Sequence, residues 1–268
     1  MKNIAFMAIV CLLVFASCKK TADTEESLDL QQKTVSVCTY EPETVMANAR
    51  RRKPTPIPEP EPTPTPEPEP TPTPTPTGTG YSCILIDFDG QTVSSPYWNG
   101  GATMNCAPSG LSASQMTEVL NEVSALYAAY NVYVTYDENV YNAANPLKRT
   151  RVIVTATSNW YSSGVSGVAY SNSFTWGDGT PAFVFSDRLY YTSHYVAEIV
   201  AHESGHTLGL RHQTQYDTNC SLVSSYRNGA VMGNSLNSPQ GAWIYGTTIS
   251  CTTYQDDNTV LSNLLGRR

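Results

Sequence analysis

Three of the chain's four histidines fall in one short segment, and this clustering constrains the fold more than any other feature. Residues 202–212 read His-Glu-Ser-Gly-His-Thr-Leu-Gly-Leu-Arg-His. Histidines four positions apart lie on one face of an α-helix, one turn above the other. His202 and His206 can therefore reach the same metal ion, and the spacing predicts a helix that ends shortly after His206.

The other residues of this segment complete a catalytic metal site. A catalytic zinc ion takes three protein ligands and keeps a further position open. Glu203 follows the first ligand directly, where its carboxylate can act as the general base toward a zinc-activated water. Gly209 can adopt the positive φ that ends a helix and turns the chain back, which lets His212 approach the metal. We therefore predict one zinc ion bound by His202, His206 and His212.

Two other interpretations of this segment are less favoured. A buried helix with merely packed histidines would require neither the glutamate nor the glycine at these positions. A structural zinc site usually closes with a fourth protein ligand, often cysteine. The fourth histidine, His194, is interpreted as a surface or helix-start residue and not as a ligand, and Ser193 is assigned as the helix N-cap.

The complete HExxHxxGxxH pattern resembles the signature of the metzincin zinc metalloproteases. Metzincins carry a methionine in a tight turn beneath the zinc, and Met232, in residues 230–234, fits that position. The resemblance implies that Met232 forms an apolar floor under the ligand histidines; an ordinary core methionine would pack in nearly the same way. Some metzincins place a tyrosine ligand two residues later, but Asn234 stands here, and Gln213 leaves the subfamily open.

The resemblance extends over about residues 81–265 and implies the fold. Flanking segments resemble, in the same order, one bacterial branch of secreted metzincins: residues 84–90, 131–135, 167–170 and 254–257. The implied class is α+β, a twisted, mostly parallel sheet with a backing helix and an active-site helix. No inhibitory propeptide of the cysteine-switch or aspartate-switch type is recognisable.

Hydrophobic patterning within the chain predicts the individual elements. Apolar residues at helical spacing predict a helix over residues 112–130 and a short terminal helix over 257–265. Alternating or β-branched runs predict strands over residues 131–136, 151–156, 165–170 and 182–185. Residues 176–179, Trp-Gly-Asp-Gly, predict a turn between the last two strands.

The amino terminus predicts export and lipid anchoring. An apolar run over residues 4–15 follows Lys2 and is too short to span a membrane. The sequence Ala-Ser-Cys at 16–18 resembles a bacterial lipoprotein cleavage box, so residues 1–17 are predicted to be the signal peptide and Cys18 the lipidation site. We expect a membrane-anchored lipoprotein at the bacterial cell surface or in the periplasm. The alternative is ordinary signal cleavage and a secreted enzyme.

Three further regions follow the signal peptide. Residues 18–53 are polar, lack the apolar content of a core and are predicted to be a disordered tether. Residues 54–80 are rich in proline, threonine and glutamate, and their regular prolines predict an extended stalk on the order of 70 Å long. Residues 81–268 are assigned to the catalytic domain. The basic residues 50–53 are interpreted as a solvated charge run, with a protease-sensitive site as the alternative.

Four cysteines of the catalytic domain predict two disulfides in an exported protein. Proximity in the sequence favours the pairs Cys83–Cys106 and Cys220–Cys251, although three pairings are possible. Cys38, in the tether, is interpreted as an inert free thiol.

Composition limits the partners and the remaining cofactors. The formal net charge of −7 argues against nucleic-acid binding and suits a soluble exported protein. We expect this protein to be a monomer that contacts the membrane through its lipid anchor. Asp87, Asp89, Asp256 and Asp257 could bind a structural calcium ion, but turn-forming and helix-capping roles are favoured.

The sequence therefore predicts a zinc-dependent endopeptidase acting on proteins or peptides. A substrate strand would lie along the sheet edge at residues 165–170, by analogy with metzincins. The alternative is a surface adhesin that retains zinc without turnover, and the intact Glu203 argues against it.

Overall fold

A computed structural model describes residues 35–39, 80–162 and 164–268 of the chain, with the backbone alone for 35–39. The predicted signal peptide, the lipidation site Cys18, the stalk up to residue 79 and the rest of the tether lie outside the described residues. Within the described part, no helix combines the length and the apolarity needed to cross a membrane.

The described residues form twelve strands and four α-helices. The strands are β1 (Val35–Thr39), β2 (Ser82–Asp87), β3 (Gln91–Val93), β4 (Met104–Cys106), β5 (Val132–Thr135), β6 (Arg149–Thr155), β7 (Val165–Tyr170), β8 (Ala182–Phe185), β9 (Gln215–Tyr216), β10 (Leu222–Ser224), β11 (Tyr245–Thr247) and β12 (Tyr254–Asp256). The helices are α1 (Ala113–Leu126), α2 (Glu138–Ala143), α3 (Ser193–Thr207) and α4 (Asp257–Leu265).

The main sheet has the strand order β1-β7-β8-β6-β2-β5. Strands β8, β6, β2 and β5 run parallel to one another, whereas β7 is antiparallel to β8 and β1 is antiparallel to β7. The remaining strands form three small antiparallel pairs. This mostly parallel sheet with helices confirms the predicted α+β class.

Alternation along the strands divides the apolar side chains between two faces of the sheet. Ile84, Ile86, Val152 and Val154 belong to the core cluster that contains the buried residues of α1 and α3. Side chains at the intervening positions pack on the other face in two smaller clusters. One of these clusters contains Ile153, Phe183 and Phe185 with Trp98, and the other contains Cys83 and Leu85 with Val140 and Tyr141.

Helix α1 begins at a complete capping box and ends earlier than predicted. The Ser112 side chain accepts a hydrogen bond from the Gln115 backbone, and the Gln115 side chain accepts one from the Ser112 backbone. The helix ends at Leu126 and not at residue 130, because Tyr127 leaves the helical register and packs against α3. The Tyr127 hydroxyl donates to the Ala201 carbonyl at 3.2 Å.

Helix α3 begins one residue earlier than its predicted cap implies. Thr192 occupies the N-cap position and makes no capping hydrogen bond with its side chain, whereas Ser193 is the first helical residue. The Ser193 hydroxyl donates instead to the Glu118 carboxylate on α1. The assignment of Ser193 as N-cap was therefore wrong, because a contact between helices uses its hydroxyl.

One of the two favoured disulfides is present. Cys220 and Cys251 are bonded, whereas Cys83 and Cys106 are free and buried. The prediction of Cys83–Cys106 was wrong because the two side chains pack in different core clusters. Burial raises the pKa of the Cys83 thiol to about 12 and that of the Cys106 thiol to about 11, so both remain protonated.

Residues 35–39 lie within the segment assigned to the tether, yet they pair with the catalytic domain as β1. The register places Val37 opposite Val168 and Cys38 opposite Gly167. The β7 edge that was predicted to receive substrate is therefore already paired with a strand of the same chain.

Candidate active site

Helix α3 holds two of the predicted ligands in fixed orientations. His202 and His206 are each 1% exposed. The Nδ1 atom of His202 donates to the Val231 carbonyl at 2.6 Å, and that of His206 donates to the Leu210 carbonyl at 2.8 Å. Because a carbonyl can only accept, both rings carry their proton on Nδ1, and the Nε2 lone pairs are free to bind a metal.

The turn after α3 brings the third histidine to the first two. The helix ends at Thr207, and Gly209 has a φ of 95°, in the left-handed region. The turn therefore favours glycine for its conformation, and a Cβ at this position would also displace the Asn172 side chain, whose Oδ1 would lie 2.5 Å away. The Nε2 atoms of His206 and His212 are 3.0 Å apart, and one nitrogen from each of the three histidines lies within 4.8 Å of the others.

The protonation state of these imidazoles fits a metal ion. Burial lowers the pKa of His202 to about 3 and that of His212 to about 4, and it holds the pKa of His206 well below its ordinary value. All three rings are therefore neutral near pH 7 and can act as ligands. Within the described residues, His202 Nε2 is buried without a hydrogen-bond partner. Three convergent neutral imidazoles fit a catalytic zinc ion with one open position.

Glu203 directly follows the first ligand and is buried away from solvent. Its side chain is completely buried, and neither carboxylate oxygen has a hydrogen-bond partner among the described residues. Burial raises the pKa of this carboxyl well above its ordinary value. A Cβ on Gly167 of β7 would lie 2.6 Å from Glu203 Oε1, so only a glycine lets the strand approach the carboxylate this closely.

Met232 packs directly against the ligand helix. It is fully buried, and a Cβ on Gly205 would lie 2.5 Å from the Met232 sulfur. Gly205 comes immediately before His206 on α3, so the thioether reaches the helix backbone between the two ligand positions. The Met232 carbonyl also accepts a hydrogen bond from the Gln213 backbone at 2.6 Å, which ties the methionine turn to the residue after His212.

Gln213 has a structural role that the sequence did not reveal. Its side chain is fully buried, and Nε2 donates to Asp257 Oδ1 at 2.8 Å. Asp257 also accepts from Gln255 Nε2 at 2.8 Å and from the Ile244 backbone at 3.1 Å. This network joins the third ligand's segment to the start of α4. Tyr226, also missed, packs edge-on against His212 with ring centroids 4.9 Å apart.

The aspartates considered for calcium make contacts within the protein. Asp256 caps α4 by accepting from the Asn258 backbone, and Asp257 belongs to the Gln213 network. Asp87 pairs with Arg151 at 2.6 Å, and burial raises its pKa to about 6. Asp89 is exposed at the turn that follows β2. A structural calcium ion stays a prediction.

The HExxH helix, the glycine turn, the third histidine and the methionine turn lie together on an α+β scaffold. This arrangement is consistent with a metzincin-clan zinc metalloprotease. Residues 154–253, less than half of the chain, match the family model described as Metallo-peptidase family M12B Reprolysin-like. The match includes every candidate ligand and Met232, and it supports a peptidase activity that depends on zinc. No curated protein sequence matches the chain.

Proposed function

We propose that the chain is an endopeptidase that hydrolyses internal peptide bonds with Glu203 as the general base. The observation that carries the proposal is the buried Glu203 carboxylate, which has no hydrogen-bond partner in the described part of the chain and directly follows the first of three convergent neutral imidazoles. A carboxylate in this position is free to accept a proton from water. A glutamate with a purely structural role would have donors for its buried oxygens.

His202, His206 and His212 would hold the zinc ion, which when bound supplies a Lewis acid for the scissile carbonyl and lowers the pKa of water. Glu203 takes the proton of the attacking water and passes it to the departing amine. The raised pKa of this buried carboxyl favours the first transfer, because a carboxylate of higher pKa accepts a proton more readily.

The substrate would bind as an extended strand along β7. This edge accepts an antiparallel strand, as its pairing with β1 demonstrates. Gly167 takes part in that pairing opposite Cys38 and lies directly against Glu203, so a substrate strand there would pass beside the base. Substrate and β1 would compete for the same backbone hydrogen bonds, and β1 must leave before a substrate strand can pair.

The proposed location rests on the amino-terminal sequence. Export, lipidation of Cys18 and attachment to a membrane at the cell surface or in the periplasm would place the protease where it meets protein substrates. The net charge of −7 suits such a monomeric exported enzyme with no nucleic-acid partner.

Cleavage of a peptide library by the wild-type chain and by Glu203→Ala tests the proposal. We expect cleavage by the wild type and almost none by the variant, with bound zinc measured in both. Comparable cleavage by the two proteins would contradict the role of Glu203. Absence of cleavage by either protein, despite bound zinc, would favour the alternative of a zinc-containing adhesin without turnover.

A further inference from the structure

A second histidine–carboxylate cluster lies at the amino-terminal end of α3. His194 and Glu198 are one turn apart on this helix, and Glu122 reaches them from α1. One candidate donor atom from each of the three residues lies within 4.8 Å of the other two. His194 precedes His202 by about two turns of helix, or about 12 Å along the axis, so this cluster is separate from the catalytic residues.

The hydrogen bonds of His194 leave one ring nitrogen facing a carboxylate. His194 Nε2 donates to the Ser238 carbonyl at 3.0 Å, which places the proton of a neutral ring on Nε2. The Nδ1 lone pair then faces Glu122 Oε2 at 2.8 Å. Two acceptors at this distance repel each other unless a positive charge lies between or beside them. That charge is either a proton on the ring or a metal cation.

Glu198 discriminates between these two sources of positive charge. It is 1% exposed, and its Oε1 atom accepts from the Gly241 backbone at 2.8 Å. Its Oε2 atom is buried and has no hydrogen-bond partner among the described residues. A proton on His194 would satisfy Glu122 but would leave the buried Glu198 Oε2 without a partner, which is unfavourable. A cation held by all three residues would satisfy both carboxylates.

We propose that Glu122, His194 and Glu198 form a second zinc site that stabilises the fold, with a water molecule or a second carboxylate oxygen taking the fourth position that these three side chains leave open. One imidazole nitrogen and two carboxylates suit zinc, whereas calcium takes oxygen ligands. The two negative charges of the carboxylates balance the charge of the ion. The Ser238 carbonyl holds the imidazole with its free nitrogen toward the ion, as Val231 and Leu210 hold the catalytic histidines.

A zinc ion in this position would connect three parts of the catalytic domain. It would join α1 through Glu122 to α3 through His194 and Glu198. The contacts of Ser238 and Gly241 with the same side chains would add the segment that follows Met232. The site would therefore fix the start of the ligand helix relative to the methionine turn, independently of catalysis.

Metal counting on the full chain tests the proposal with zinc itself as the probe. After equilibration with Zn²⁺ and gel filtration, we expect two zinc ions per wild-type chain by elemental analysis and one in Glu198→Gln. The matched control is Glu118→Gln on α1, one turn from Glu122, which should retain two. A wild-type content of one ion, or two ions in Glu198→Gln, would overturn the proposal.

A variant without the catalytic zinc ligands provides a second test, which remains decisive if Glu198→Gln does not fold. Removing the catalytic ligands with His202→Ala and His206→Ala leaves only the second cluster. Zinc should still raise the melting temperature of this protein, and adding Glu122→Gln, whose side chain is 36% exposed, should abolish the increase. A melting temperature independent of zinc in the doubly substituted protein would refute the second site. The same zinc-dependent increase with and without Glu122→Gln would refute it as well.

Discussion

Helix α3 carries a histidine–carboxylate group at each end, and the two groups are assembled differently. At the carboxyl-terminal end, the ligands and the base all come from residues 202–212. At the other end, Glu122 lies 72 positions from its partner His194 and reaches it only because α1 packs on α3. A short local motif reveals the first group, whereas only the packing of two helices creates the second.

The two ends also differ in what their carboxylates can do. Among the described residues, neither oxygen of Glu203 has a hydrogen-bond partner, and Oε1 lies close to Gly167 of β7. Glu198 has one oxygen fixed by the Gly241 backbone, and the other faces the interior. We therefore propose the carboxyl-terminal end for proton transfer and the amino-terminal end for binding an ion between the two helices. Four predictions test this difference.

The largest effect is expected from Glu203→Ala. Removing the general base should lower the rate of peptide cleavage by about 10²–10⁴-fold, while zinc bound by the three histidines is retained. Glu198→Gln should lower the rate far less, because no reacting group lies at that end of α3. Rate constants measured with one fluorogenic peptide compare the two variants. Equal losses would remove the functional distinction between the ends of the helix.

The second-largest effect is expected from removing the disulfide Cys220–Cys251, which closes the segment that contains Met232. Replacing both Cys220 and Cys251 by serine should lower the free energy of unfolding by about 2–4 kcal/mol, because the bridge constrains the unfolded segment that contains Met232. Urea unfolding with and without reducing agent provides the measurement. The reduced wild type should behave like the double variant. If the reduced wild type and the double variant both unfold at the midpoint of the oxidised wild type, the bridge does not stabilise the catalytic domain.

Gln213→Ala should destabilise the catalytic domain by about 1–3 kcal/mol. The substitution leaves the buried Asp257 carboxylate without one of its donors. Gln240→Ala, at an exposed glutamine, is the control and should change the free energy of unfolding by less than about 0.5 kcal/mol. If the two variants unfold at the same urea concentration, the network behind His212 does not support the site.

The smallest effect is expected from removing β1. A chain without residues 19–79 should cleave peptides on the order of tenfold faster at low substrate concentration, because the β7 edge becomes fully available. Deleting only residues 19–34 retains β1 and should leave the rate unchanged. An equal rate with and without β1 would show that the strand does not compete with substrate. Relief by Cys38→Ser alone would attribute the inhibition to the thiol rather than to strand pairing.

Much of the fold could be predicted because its elements carry local patterns. β7 and β8 have the predicted bounds, as does α4, whose start is marked by the capping residue Asp256. The end of α1 was placed too late because Tyr127 is apolar and continues the helical spacing, although its ring and hydroxyl serve the contact with α3. Hydrophobic periodicity alone cannot distinguish an apolar residue that continues a helix from one that follows the helix and packs against a neighbouring helix.

Features that depend on distant pairing could not be predicted in the same way. Cys83 and Cys106 are close in sequence, but each side chain packs in a different cluster. Residues 35–39 read Val-Ser-Val-Cys-Thr, a short alternating run that favours a strand, but this pattern does not reveal its partner, because the backbone hydrogen bonds that join it to β7 are available to any strand.

The sequence by itself determined the chemistry of this protein. His202, Glu203, His206, Gly209 and His212 lie so close together that helical periodicity and one glycine turn suffice to arrange them. Only the tertiary structure decided how that chemistry is enclosed and controlled. It buried Glu203 against Gly167, placed the Met232 sulfur on the helix backbone, and brought Glu122 to His194. Local geometry follows from covalent spacing, whereas these contacts form only when segments far apart in the chain pack to bury their apolar faces.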